Sequence, residues 1–248
     1  GLGLHFGWSA DRWPAVEMPP KQGESVSTAD VVRGILRHDP AALARVIREP
    51  QNTWSNLAFV LAGAVVWTGT ARRIVRAAAG GLMLTGLGSF LYHASASLAV
   101  RALDVGAMKV YFGLSAIVAL VVLRPAWRAA AERHAVTLTA VMLIAASLIT
   151  PIRGLKVAGF RPFDIGLLTL VSALIAASAL VKTAFAAKKP GPWIWIASST
   201  ALIAAAATFQ IGDRPGGWCW QPGGIIQGHA VWHLLSAAAA GIALTQLN

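Results

Sequence analysis

Two histidines four residues apart, His229 and His233 in Gln227-Gly228-His229-Ala230-Val231-Trp232-His233, have the spacing at which one helix face presents both imidazoles to a single metal ion. A third histidine, His93, closes the stretch Gly88-Ser89-Phe90-Leu91-Tyr92-His93. On a helix, Ser89 and His93 share a face. Asp104 follows after a short connector. Three neutral imidazoles leave the fourth tetrahedral position of a zinc ion to water, the open geometry of a catalytic site. Such a water has its pKa lowered to about 7. Asp104 is then the expected base or proton shuttle, with a helix cap as its structural alternative. Ser89 is the expected donor to a developing oxyanion or a hydrogen bond behind a ligand, with helix packing as its alternative. No Glu follows His229, so this is not the arrangement of soluble zinc proteases, in which that Glu supplies the base.

The elements that must hold these residues are apolar helices. The chain is 56% hydrophobic and only 12% charged, and its polar residues gather in short connectors, which is the composition of a protein dissolved in lipid. The runs 53–70, 77–99, 102–123, 135–150, 164–183, 192–211 and 225–245 are the candidate spans. The expected fold is therefore an all-α integral membrane protein with seven transmembrane helices. The fourth run is the shortest, and Pro151 ends it. Trp54, Trp67, Trp127, Trp193, Trp195, Trp218, Trp220 and Trp232 fall near predicted span ends, the depth that amphipathic rings favour. Residues 1–51 form a polar N-terminal segment ahead of the membrane domain 52–248. Within it, Ser27 to Arg48 carries helical spacing of apolar residues among charges and reads as an interfacial amphipathic helix. No cleavable signal peptide is expected, because the start lacks a basic region followed by an apolar run.

The formal net charge of +11 does not indicate nucleic acid. Its cations sit in threes between apolar segments, as in Arg72, Arg73, Arg76 and in Arg124, Arg128, Arg133, where they set topology and touch lipid headgroups. Cys219 is the single cysteine, which excludes an intrachain disulfide and a zinc site built from several thiolates.

Alternation of the spans brings the chemistry together. His93 ends the second span, Asp104 opens the third, and His229 and His233 open the seventh, so all lie on the membrane side that carries the N-terminal segment. Each ionisable group in a bilayer costs roughly 2.5–3.5 kcal/mol on insertion scales, and a shared metal offsets that cost. Nine Lys and Arg in the loops on the opposite side, against five on this side, favour a non-cytoplasmic site. Counting Arg33, Arg37, Arg45 and Arg48 makes the balance a tie.

The set of Ser, His, Asp and a terminal His-x-x-x-His in seven spans resembles the alkaline ceramidase family, part of a superfamily of membrane hydrolases that includes adiponectin-type receptors. The matching pieces are Glu49-Pro50-Gln51-Asn52-Thr53-Trp54-Ser55-Asn56, Gly88-Ser89 to His93, Asp104 with Met108, Asp213 with Cys219, and Gln227 to His233. The resemblance implies an amide hydrolase that cleaves ceramide to a sphingoid base and a fatty acid. It implies zinc held by His93, His229 and His233, with Asp104 and Ser89 at the remaining catalytic positions. The acidic calcium-binding run of eukaryotic members is missing, and Glu49 and Glu24 are the remaining candidates for Ca2+. Val105 stands where the family often has Glu, and Lys109 lies within the third span, there to snorkel or to meet a headgroup.

Two other readings use the same residues. One is a zinc hydrolase of another lipid amide or ester. The other is a receptor-like protein with a structural metal. Iron, nickel and copper are chemically compatible with imidazole ligands. A transporter is disfavoured because the spans lack paired broken helices and the polar groups collect at one face.

Overall fold

The computed structural model describes residues 49–95, 98–150, 165–187, 191–213, 216–219 and 226–248. The expected interfacial helix at Ser27 to Arg48, and Glu24 with it, lie outside the described residues. Every regular element among them is helical: α1 (Pro50–Ser55), α2 (Leu57–Gly69), α3 (Arg73–Ser95), α4 (Leu98–Leu123), a 3₁₀ turn (Pro125–Trp127), α5 (Arg128–Arg133), α6 (Ala135–Ile149), α7 (Ile165–Ala187), α8 (Gly191–Gly212) and α9 (Gly228–Gln246). A helix thus lies at each of the seven predicted runs.

Four of these helices, α3, α4, α7 and α8, are long and apolar enough to cross a membrane. The segment Pro125–Arg133 with Ala135–Leu148, bent by 80°, makes a fifth if taken as one span. The predicted first span is interrupted at Asn56, which leaves α2 with 13 residues, about 20 Å and short of the hydrocarbon core. α9, at the predicted seventh run, has 19 residues, falls outside that set of long apolar helices and carries both His229 and His233.

The helices close into a ring. α3 packs on α2 and α4, α4 on α7, α7 on α8, α8 on α9, and α9 returns to α2, while α6 covers the outside of α4. α3 is the hub: 61% of its apolar window is buried, against 6% for α8. Ile74, Leu82, Leu114, Val118 and Leu244 fill the interior. The exterior is also apolar, with Leu61, Val65, Val136, Ile144, Leu148 and Ile194 well exposed. That inside-and-outside apolarity belongs to a protein solvated by lipid chains. Of the tryptophans expected near span ends, Trp54, Trp67, Trp127, Trp193, Trp195 and Trp218 are exposed, Trp232 is half-buried, and Trp220 lies outside the described residues.

Glycine sets how closely the hub meets its neighbours. A Cβ on Gly88 would stand 3.1 Å from Asp104 Cα, and one on Gly81 would stand 3.1 Å from Tyr111 Cα. Two turns apart on one face of α3, these glycines let α4 approach at backbone contact. Asp104 is thereby drawn against the turn of α3 that carries Ser89. On α4's other flank, Lys109 is buried and donates to Thr150 Oγ1 at 3.3 Å, so it neither snorkels nor reaches a headgroup. Lys182 of α7 donates to the carbonyls of Val122 and Leu123 at 3.1 and 2.8 Å, a cation on the C-terminus of α4.

Candidate metal centre

The last turn of α3 and the first turns of α9 converge at one end of the ring. One ligand atom from each of His93, His229 and His233 lies within 4.8 Å of the others, and all three residues are buried. His93 Nε2 and His229 Nε2 are 3.3 Å apart, about the edge of a tetrahedron with Zn–N bonds of about 2.0–2.1 Å.

The outer nitrogens of two of these rings are tied down. Ser55 Oγ donates its proton to the Asn52 carbonyl at 3.0 Å, so at 2.8 Å from His233 Nδ1 it acts as an acceptor. His93 Nδ1 donates to Glu49 Oε2 at 2.5 Å, and Asn52 Nδ2 donates to the same oxygen at 3.0 Å. Burial alone would raise the Glu49 carboxyl, but the neighbouring His93 ring and the two hydrogen bonds outweigh it and hold the group below its ordinary range. Glu49 is therefore ionised and only accepts. Both rings are fixed in the tautomer that carries its lone pair on Nε2, facing inward. The buried Nε2 of His233 has no hydrogen-bond partner. An inward-facing, unpartnered lone pair beside two further imidazoles fits a metal ion that takes nitrogen ligands.

Asp213, just past α8, closes the other side. Its Oδ2 accepts the backbone N–H of His229 at 2.8 Å, one of the donors that the first turn of a helix cannot satisfy internally. Burial raises this carboxyl above its ordinary range, and the His229 and Gly228 backbone donors pull it back. Gly228 is required here, because a Cβ would stand 2.6 Å from Cys219 Sγ and 2.9 Å from Asp213 Cβ.

Ser89 and Asp104 lie beside the histidines, on α3 and on the facing turn of α4, and both are buried. The groups acting on the Asp104 carboxylate are His93, Ser89 and Arg101. Its Oδ1 has no hydrogen-bond partner. A buried carboxylate with one unengaged oxygen is costly unless that oxygen is kept for a ligand or a proton.

The residues singled out in the sequence, His93, His229, His233, Ser89, Asp104 and Glu49, are thus assembled in one place. The sequence reading gave no role to Ser55, Asn52 or Asp213, which serve the histidines. The cue for the first two was local: polar Asn52, Thr53, Ser55 and Asn56 open an otherwise apolar run.

The family model described as Ceramidase matches residues 42–248. No curated protein matches the chain.

Proposed function

The chain belongs to the ceramidase family, and from that premise we propose that it is a zinc-dependent amidase of the membrane, hydrolysing ceramide-type lipids to a sphingoid base and a fatty acid. As a family member it is a hydrolase of the ceramidase type with several long apolar helices. Zinc, the lipid and the residue roles are our reading. The observation that carries it is the inward-facing imidazole cluster with an orphaned His233 Nε2.

In this reading His93, His229 and His233 hold the ion, which supplies Lewis acidity towards the amide carbonyl and towards water. Glu49 and Ser55 keep two of the rings in the liganding tautomer, a task for Glu49 in place of calcium. Asp104 takes a proton from the attacking water and delivers it to the amide nitrogen as the C–N bond breaks. The Ser89 hydroxyl donates to the carbonyl oxygen as that atom gains charge. Water and amide are thereby converted to acid and amine with no other reactant.

All seven helical runs are read as spans. α1 and α2 together reach from Pro50 to Gly69, and α9 rests its polar first turns on the metal centre. The excess of Lys and Arg in the opposite loops orients the centre to the non-cytoplasmic side. Residues 1–51 are read as an interfacial segment ahead of the membrane domain 52–248.

The test is metal analysis and lipid hydrolysis on one detergent-purified sample. Near one zinc per chain together with fatty acid released from ceramide supports the reading. Absence of metal overturns it. Zinc with cleavage of other amides or esters alone, or zinc with no product from any lipid, replaces it with the other-lipid or the receptor-like reading.

A further inference from the structure

α3 begins about 30 Å from the histidines, given its rise of 1.5 Å per residue, and an open pocket of about 500 Å³ lies at that end. Its lining is Ala71, Arg72, Arg73, Arg128, Glu132 and Arg133. Four guanidinium groups and one carboxylate line it, and both oxygens of that carboxylate are engaged. Glu132 Oε1 accepts Arg72 Nε at 3.0 Å, and Oε2 accepts the Ile74 backbone N–H at 3.2 Å. Arg72 also donates through Nη1 to the carbonyls of Leu247 and Asn248. Its buried Nη2 has no hydrogen-bond partner. Arg73, Arg128 and Arg133 are exposed and make no ion pair among the described residues. The N-terminus of the 23-residue α3 adds the positive end of its dipole.

The surroundings fix the depth of this pocket. Trp127, 55% exposed, precedes α5 immediately, and Val136, 82% exposed, opens α6. An exposed indole and an exposed aliphatic side chain on either side of α5 are the pairing found where headgroups meet lipid tails. Excess positive charge with a forked geometry selects phosphate oxygens, and at this depth the phosphate is carried by a lipid.

We propose that Arg73, Arg128 and Arg133, around the Arg72–Glu132 pair, form a binding site for the phosphate headgroup of an anionic lipid, on the membrane face opposite the histidine centre.

The test is native mass spectrometry of the full chain in uncharged detergent, titrated with phosphatidylglycerol, with phosphatidylcholine, and with phosphatidylglycerol in competition with inorganic phosphate. The variants are Arg128→Gln/Arg133→Gln in the pocket and Arg124→Gln/Lys182→Gln, which removes the same charge from two residues that do not line it. The side chains replaced in the pocket are exposed and unpaired, and an unchanged thermal midpoint without lipid verifies that the fold is intact. The expected result is a preference for phosphatidylglycerol that falls about tenfold in the pocket variant and stays in the other. Equal loss in both variants overturns the site in favour of net charge alone. Displacement by inorganic phosphate at equimolar concentration overturns the lipid in favour of free phosphate, and equal affinity for phosphatidylcholine overturns the anionic selectivity.

Discussion

The two ends of α3 hold comparable densities of polar side chains and use them in opposite ways. At the Arg73 end, Glu132 spans Arg72 and the first turn of α3, while Arg72 reaches the carbonyls just past α9 and Thr70 meets Asn248. The Arg72–Glu132 pair there caps helix termini and ties four segments together, while Arg73, Arg128 and Arg133 keep their charge unpaired at the surface. At the His93 end, hydrogen bonds are spent on orienting rings, and the groups they orient are left open: His233 Nε2 and Asp104 Oδ1 are both buried and unpartnered. The first pattern is what stability requires. The second costs stability and makes sense when a ligand completes it.

Replacing a ligand breaks this contrast most severely. His229→Ala is expected to abolish metal binding and to lower turnover by at least about 10³-fold. Metal analysis and ceramide hydrolysis measure both effects. Chelation of the wild-type protein should have the same effect, reversed by zinc. A variant that kept full metal content would show that the cluster is held by its packing and not by an ion.

Asp104→Asn sharpens the contrast, because it alters an open group without touching a ligand. Turnover is expected to fall by about 10²–10⁴-fold with metal content unchanged. Thermal stability should hold or rise, since the charge of a buried carboxylate with one unpartnered oxygen is removed. Loss of stability with full turnover would instead make Asp104 a structural residue.

Much of this end was legible because its signals are local. His229 and His233 report their shared face through spacing alone, and Ser89 with His93 does the same. Alternation of apolar runs then places α3, α4 and α9 correctly at one end. What the sequence concealed depends on tertiary approach. Glu49 meets His93 across 44 residues and Ser55 meets His233 across 178, and no periodicity encodes such pairs. The close seat of α4 depends on Gly81 and Gly88 meeting backbone, a feature that reads in sequence only as two small residues. The interruption at Asn56 was missed for a different reason. Polar Thr53, Ser55 and Asn56 were counted into the apolar run that they open, and α1 ends at Ser55 before α2 begins at Leu57.

Glu49→Gln addresses those concealed pairs. The amide preserves size but removes the charge that fixes the His93 tautomer, so zinc affinity is expected to drop by about 10–100-fold, measured by competition with a calibrated chelator. Turnover at saturating zinc should recover most of its wild-type value. Added calcium should restore nothing, because in this reading Glu49 serves the imidazole. Restoration of wild-type zinc affinity by calcium would return Glu49 to a calcium site.

Glu132→Gln tests the other end and is expected to leave activity at saturating zinc unchanged. Arg72 is only 12% exposed, and Glu132 is 25% exposed, so the substitution weakens a charge-assisted bond in partly dry surroundings and thins the cap on α3. A loss of about 1–3 kcal/mol is expected, read as a lower thermal midpoint in detergent with metal content and turnover per folded molecule intact. The direction follows from the geometry: an amide can still accept from Arg72 through one oxygen, but its NH₂ group faces the Ile74 N–H or the guanidinium as donor against donor. A fall in zinc affinity in this variant would mean that the two ends communicate along α3, and that orientation of His93 depends on how the far end of the same helix is anchored.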